Sequence, residues 1–408
     1  MTSKTIKTTC CITGGGPAGM MLGFLLARAG ISVAVLEKHA DFLRDFRGDT
    51  IHPSTLELMH ELGLLDEFLK LPHSRVDHLS GLIGETSVTI ADFSHLPMHC
   101  KFIALMPQWD FLDFLAEHGR KYPGFDLHMR TQATALIEEG GRIAGVRATS
   151  PDGDLEIRAD LTVGCDGRHS TLRACAGFQV EDIGAPMDVL WFRISRREGD
   201  TAETFGHIEA AAMMVMLNRT DYWQCAYVIP KGGIDQVKAK GLPAFRESVA
   251  FMSPFLRDRL DEIKSWDDVK LLTVAVDRLP RWHKPGLLCI GDAAHAMSPI
   301  GGVGVNLAIQ DAVAAANILY GPLKAGKVSE ADLAAVQKRR TMPMRLIQWI
   351  QVKIQNNLLS RVLASRERPT PPFAVKLLDW FPVLRRFPAR LVGLGVRPEH
   401  VHTLEAKA

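Results

Sequence analysis

Thr8–Glu37 reads TTCCITGGGPAGMMLGFLLARAGISVAVLE, and its reading sets the fold. Thr8–Thr13 is a short β-branched and apolar run ending at Gly14, the pattern of a buried strand. Gly14-x-Gly16-x-x-Gly19 follows, and Ala18–Ala29 is apolar and helix-forming until Gly30 stops it. Ile31–Leu36 is a second strand, closed by Glu37 with Lys38 beside it. The three glycines serve different mechanical ends. Gly14 permits the tight turn, Gly16 lets the backbone approach a pyrophosphate, and Gly19 lets helix and strand pack closely. Pro17 and Ala18 open a helix whose N-terminus carries about half a positive charge and unbonded N–H groups, which suit a phosphate. Glu37 stands near the position about 20 residues on where an acid takes ribose hydroxyls. This context predicts a bound dinucleotide without choosing between NAD and FAD.

The rest of the composition is that of an ordinary globular chain of two or three domains. Hydrophobic residues make up 47% and charged residues 23% of 408 residues, enough apolar material for a core. Lys+Arg 48 against Asp+Glu 46 leaves +2, so no basic surplus asks for nucleic acid. The seven cysteines are scattered and form no C-x-x-C pair, which argues against a disulfide framework or a zinc ribbon and for a reducing compartment. Lys4 and Lys7 before an apolar stretch mimic a signal peptide, but GGGPAG interrupts the would-be apolar region. The chain is therefore expected to be a soluble, cytoplasmic protein that does not engage a membrane.

Two further turns share the first one's build. Leu161–Arg173 (LTVGCDGRHSTLR) is an apolar run into Asp166-Gly167, with Ser170 and Arg173 at a helix start. Gly286–Ile290 (GLLCI) reads as a strand, and after it comes Gly291–Ala312, GDAAHAMSPIGGVGVNLAIQDA, with a helix opening near Asn306. GGGPAG at Gly14–Gly19, DGRHSTLR at Asp166–Arg173 and GDAAHAMSP at Gly291–Pro299 occur in the order that resembles the para-hydroxybenzoate hydroxylase family of single-component, FAD-dependent aromatic monooxygenases. RGDTIHPSTLELMHELGLLDEF at Arg47–Phe68 is similar to that family's arginine-led loop and helix.

The resemblance implies an α/β fold: a Rossmann-like FAD-binding domain from 1–72, 105–184 and 271–328, a substrate domain with an inserted antiparallel sheet from 73–104 and 185–270, and C-terminal helices over 329–408. It implies that the first loop holds the ADP half of FAD, that Asp292 takes the ribityl hydroxyls, and that Gly302, Val303, Gly304, Val305 and Asn306 lie along the flavin ring below Gly291 and Pro299. Arg47 and Gln108 would contact the flavin side. Asp166 and Gly167 would link FAD and NAD(P)H functions, with Arg44 a second candidate for the nicotinamide. It further implies hydroxylation of an aromatic or polycyclic substrate with NAD(P)H and O₂ through a flavin C4a-hydroperoxide, the Pro299 carbonyl standing near the reacting centre.

Pro186–Pro230 shows several short strands separated by turn signals, the pattern of an antiparallel sheet. Trp191, Met213, Met214, Met216, Trp223 and Tyr227 cluster there, and Trp191, Met214, Met216 and Trp223 are taken as substrate-lining. His207, Tyr222 and Tyr227 are the candidates for a base acting on a phenolic substrate. Arg193, Arg196 and Arg219 are available to an anionic group. His295 reads as a packed histidine holding its loop rather than as a base. His95, His99 and Cys100 hint at a metal, but Pro97 spoils a shared helix face and no metal is expected. Arg47-Gly48-Asp49 spells an adhesion triplet, set aside inside a flavin-type loop.

From Ser329 onward the pattern is helical, with Ile347, Ile350, Ile354 and Leu358 three and four apart. Pro369, Pro371 and Pro372 precede FAVKLLDWFPVLRRF, whose apolar residues beside Arg385, Arg386 and Arg390 are expected to pack over the flavin domain or a second subunit, a homodimer included, with contact to a membrane surface as the alternative. Three other functions remain on this scaffold: a flavin-dependent halogenase, a prenyl-lipid reductase and a noncatalytic flavin redox sensor. The WxWxIP run of halogenases is not matched, since Trp223 is followed by QCAYVIP.

Overall fold

The computed structural model describes residues 4–43, 50–200, 205–359, 362, 365 and 367–406. Lys4–Thr13 is the central strand of an eight-stranded sheet. It runs parallel to Val33–Leu36 on one side and to Gly153–Gly164 on the other. Phe125–His128 and Leu287–Cys289 extend the parallel set outward, and His283–Lys284 closes one edge antiparallel. Cys10–Thr13 is buried throughout, as expected of a parallel strand covered on both faces. The connection to the second strand is the helix Pro17–Arg28, buried from Ala18 to Ala27. Proline at its first turn is tolerated because that N–H has no partner within the helix.

The helix Val303–Lys324 packs against Pro17–Arg28. It is long and apolar enough to cross a membrane, but it is mostly buried inside the protein and serves as a core helix. It begins ahead of the expected start near Asn306, because Gly301 and Gly302 take φ of 76° and 62° and turn the chain directly into it.

A second, seven-stranded sheet runs in the order Lys270–Leu272, Met187–Ser195, Tyr222–Pro230, Ala212–Asn218, Phe205–Glu209, His78–Ile83, Thr86–Asp92. Side chains alternate across such a sheet, so it has two distinct faces. Leu190, Phe192, Ile194, Met214, Met216, Trp223 and Cys225 pack onto the helix Leu242–Met252 and the turn Pro254–Glu262. On the opposite face Trp191, Val215 and Ala226 meet Val274, Val276 and Val352, while Met187, Met213 and Val228 meet Ile300.

The C-terminal part is a brace. Ser329 and Asp332 form a reciprocal capping box that starts the helix Glu330–Ile354. Phe373–Trp380 and Arg386–Gly393 lie against the strand Thr86–Asp92. The tail then returns across the first sheet's helices. Arg28 donates to the Thr403 carbonyl at 3.0 Å, Asn317 to His400 at 2.7 Å and Tyr122 to Glu405 at 2.8 Å.

Candidate active site

Three turns from distant parts of the sequence meet at one seam. Gly14 has φ of 98°, and a Cβ there would lie 2.3 Å from the Cys165 carbonyl oxygen and 2.8 Å from Asp166 Cα. A Cβ on Gly291 would lie 3.3 Å from Ala18 Cβ, at the start of the first helix. Arg173 Nη1 donates to the Ala293 carbonyl at 3.3 Å, tying the second turn to the third. Glycine is required at Gly14 and Gly19 by close approach, since a Cβ on Gly19 would sit 2.0 Å from the Gly14 oxygen. Gly16 differs: nothing lies within 4 Å of its would-be Cβ. The open space there faces a helix N-terminus with no side-chain cap, whose amides remain donors for a ligand.

Glu37 is buried beside this loop. Its Oε2 accepts from the Gly15 amide and its Oε1 from the His39 amide, both at 3.0 Å, so it holds the loop's curvature. Lys38 is exposed. Asp166 accepts from Ser170 Oγ at 2.5 Å and from the Leu172 amide at 3.2 Å, and Ser170 accepts from the Arg173 amide at 3.0 Å. The Asp166-Gly167 turn thus caps the short helix Thr171–Cys175 and presents its arginine to the third turn.

The third turn is held from below by groups that the sequence reading missed. Asp311, fully buried, accepts from the Gly291 amide at 3.1 Å, His295 Nε2 at 2.6 Å and Arg340 Nε at 2.9 Å. Arg340 in turn donates to Glu399 at 3.0 Å and to the Arg397 carbonyl at 3.2 Å. Burial alone would raise the Asp311 pKa; the charges of and hydrogen bonds from His295 and Arg340 outweigh it and hold the carboxyl below its usual value. His295 is therefore a packed, hydrogen-bonded histidine. Gln351 holds the next stretch, bonding to the carbonyls of Ser298 at 3.0 Å and Ile300 at 2.8 Å.

Asn306 lies within the helix's first turns and acts as a bracket. Its Oδ1 accepts from the His52 amide at 3.0 Å and Thr55 Oγ1 at 2.7 Å, and its Nδ2 donates to the Thr50 carbonyl at 3.0 Å. Thr50 Oγ1 also donates to the Gly302 carbonyl at 2.9 Å. Burial pushes the His52 ring down to about 4, so it is neutral, and its Nδ1 bonds to the Val392 carbonyl at 2.7 Å. The Pro299 carbonyl accepts from the Gly302 amide at 3.0 Å. Asp292, Gly304, Val305 and Gln108 are half-buried, while Val303 is buried. The N-terminus of Val303–Lys324 also has no side-chain cap. Arg44 and Arg47 lie outside the described residues.

The sheet's alternation divides the residues expected to line the substrate between its two faces. Met214, Met216 and Trp223 lie on the face turned to Leu242–Met252, in a closed core, and Trp223 Nε1 donates to Asp200 at 2.9 Å. His207 and Tyr227 are on that same face. His207 Nδ1 bonds to the Met252 carbonyl at 2.6 Å, and Tyr227 packs edge-on against Phe245 with its phenol pushed up by burial. Trp191 and Tyr222 are on the other face, as are Met213, Val215 and Leu217; there Met213 packs with Ile300, Trp191 and Val215 with Val274, Val276 and Val352, and Leu217 with Phe93 and Leu96. Arg193 lies over the Tyr222 ring at 4.9 Å. Arg219 bonds Gln224 at 3.2 Å and Arg196 the Thr220 carbonyl at 3.4 Å. His95 and His99 turn to separate carboxylates, Asp92 and Glu57.

Two uncapped helix N-termini, the open space at Gly16 and a second glycine loop beside the first suit one elongated dinucleotide along the seam. The family model described as "FAD binding domain" matches residues 7–350, and the chain belongs to this family. It is 33% identical to the 6-methylpretetramide 4-monooxygenase of Streptomyces rimosus, over 93% of this chain and 90% of the relative. It is 27% identical to a rifampicin monooxygenase of Streptomyces venezuelae, covering 74% of this chain and 61% of that one. The solved OxyS anhydrotetracycline hydroxylase of S. rimosus superposes with a TM-score of 0.73 at 23% identity, over 96% of this chain and 77% of that one, a likeness of fold. The protein is an FAD-dependent monooxygenase.

Proposed function

We propose that this enzyme hydroxylates a flat, polycyclic phenolic compound with NADH or NADPH and O₂. The observation that carries the reading is the face of the second sheet opposite the Leu242–Met252 core, where Trp191, Met213 and Val215 stand half-buried, Met213 against Ile300 of the glycine loop, with Tyr222 and the exposed Arg193 further along the same face. An apolar strip with two aromatic rings, Trp191 and Tyr222, and one cation suits fused rings carrying a phenol. The 33% identical relative, named for 6-methylpretetramide, supports the same substrate class.

The chemistry supplied by bound FAD is reduction by a nicotinamide and activation of O₂, one oxygen atom entering the substrate and the other leaving as water. The chain's own residues bind, orient and exclude water. On this reading 1–72, 105–184 and 271–328 hold FAD, 73–104 and 185–270 hold the substrate, and 329–408 braces both. The amides at Gly14–Gly19 hold the pyrophosphate, Asp292 accepts the ribityl hydroxyls, and the N-terminal end of Val303–Lys324 favours negative charge at the ring edge beside Gly302–Val305. Trp191 and its apolar neighbours keep water from the reacting atoms. Arg193 favours the phenolate over the phenol, and Tyr222 orients that oxygen; an electron-rich ring is the better nucleophile.

Trp191→Ala removes a large apolar contact worth about 1.5–3 kcal/mol, so KM for the aromatic substrate rises about ten- to a hundredfold. Trp223→Phe, on the closed face, lowers the melting temperature and leaves KM unchanged. Steady-state kinetics and thermal melts of both variants check this. An unchanged KM in Trp191→Ala with a raised one in Trp223→Phe would put the substrate on the wrong face.

A further inference from the structure

Phe373–Gly393 presents an apolar surface that the described chain leaves uncovered. Its inner side is committed: Ala389 is fully buried, and Leu394 and Val392 join a cluster with Val76, Phe93 and Leu96. Its outer side carries Phe373 at 70% exposure, Trp380 at 63%, Phe381 at 54%, Val383 at 55% and Phe387 at 72%. These are neighbours: the Phe373 and Trp380 rings lie 6.1 Å apart, and Phe381 and Val383 sit in the turn between the two helices. Scattered exposed apolar residues are ordinary, but a contiguous set of bulky ones marks an interaction surface.

The charges around it choose the partner. Lys376, Arg386 and Arg390 are exposed; Arg386 Nη2 lies 3.5 Å from His95 Nε2, and among the described residues no carboxylate pairs with any of the three. The nearby Asp379 is already taken by Arg385 at 3.0 Å. A second copy docking through this patch would bring the same cations and no unpaired carboxylate of the patch to meet them, an unfavourable arrangement. Aromatic tips interleaved with long cationic side chains match the boundary between lipid headgroups and acyl chains, where the rings bury and the cations reach phosphate.

We propose that Phe373–Gly393 docks the enzyme on an anionic lipid surface, with Trp380, Phe381 and Phe387 in the acyl boundary and Lys376, Arg386 and Arg390 at the headgroups. This surface belongs to residues outside the flavin seam, so the proposal is independent of the substrate reading. Co-sedimentation of the full-length, FAD-loaded protein with phosphatidylcholine vesicles, with and without phosphatidylglycerol, tests it. Binding is expected only with phosphatidylglycerol and weakens as salt is added. Trp380→Ser with Phe387→Ser, and separately Arg386→Glu with Arg390→Glu, should each lower the bound fraction about tenfold or more while flavin absorbance and melting temperature stay unchanged. No binding to anionic vesicles at low salt would overturn the proposal, as would binding indifferent to both variant pairs. A homodimer that these same substitutions dissolve would also overturn it, assigning the patch to a second copy; co-purification of an acidic protein lost with the same substitutions would assign it to that protein.

Discussion

Gly16→Val gives a folded protein that purifies without flavin, whereas Gly14→Ala gives one that is destabilised outright. At Gly16 the backbone is extended, with φ of −76° and ψ of −176°, a conformation open to any residue. Nothing stands within 4 Å of the added Cβ, so the fold loses little. The branched side chain instead fills the space where a pyrophosphate meets the helix amides. Losing two hydrogen bonds to a charged group, at about 1.5–3 kcal/mol each, weakens FAD by about a hundredfold or more. At Gly14 both conformation and space forbid the methyl group: φ is 98° and the Cys165 oxygen would be 2.3 Å away. A left-handed conformation alone costs about 1–2 kcal/mol, and the clash adds to it. Flavin absorbance after gel filtration and thermal melts of both apo variants separate the outcomes. A Gly16→Val protein that keeps its flavin would remove the cofactor from this loop.

Arg340→Leu produces the second large effect. Asp311 and Glu399 are both buried, and Arg340 joins them at 2.9 and 3.0 Å. Removing one member of such a set leaves uncompensated buried charge and costs about 3–5 kcal/mol at neutral pH. The sign of the pH dependence follows from Asp311. Its pKa in the folded protein is depressed, so its contribution is present above the unfolded value and is lost as pH falls through the folded one. Without Arg340 the Asp311 pKa rises, so moderate acid protonates the carboxyl and relieves the buried charge. The stability gap between variant and parent is therefore widest near neutrality and narrows as pH falls toward the carboxylate range. Chemical denaturation at a series of pH values measures it; a gap constant or widening toward acid would contradict the network's role. Because Asp311 also accepts from the Gly291 amide, flavin retention should fall with stability.

The glycine loops were legible because their constraint is local: a turn at Gly14 and close packing at Gly19 restrict the residue type whatever surrounds them. The order of the three motifs then carried the family and the α/β fold. The sidedness of the second sheet was not legible. Period-two alternation separates Trp191, Met213 and Val215 from Met214, Met216 and Trp223, but which set meets the Leu242–Met252 core and which meets Ile300 and Val352 depends on segments far along the chain. Grouping these residues by sequence proximity mixed the two faces. The Asp311 network did leave a signal. Asp311 is the sole acid in Val303–Lys324, an otherwise apolar helix, and a carboxylate buried there requires partners. Arg340 and Glu399 could not be named as those partners, since the packing of Glu330–Ile354 on that helix brings the first and the tail's return path the second.

The absorbance of the bound flavin during anaerobic mixing with NADH or NADPH, alone and with a panel of polycyclic phenols, bears most directly on the proposed hydroxylation. Bleaching by a reduced nicotinamide is expected, accelerated by at least one phenol, with a product one oxygen atom heavier once air is admitted. Flavin that stays oxidised with both nicotinamides across the panel, yet is reduced by a separate flavin reductase, would contradict it and favour halogenase-type chemistry on the same fold.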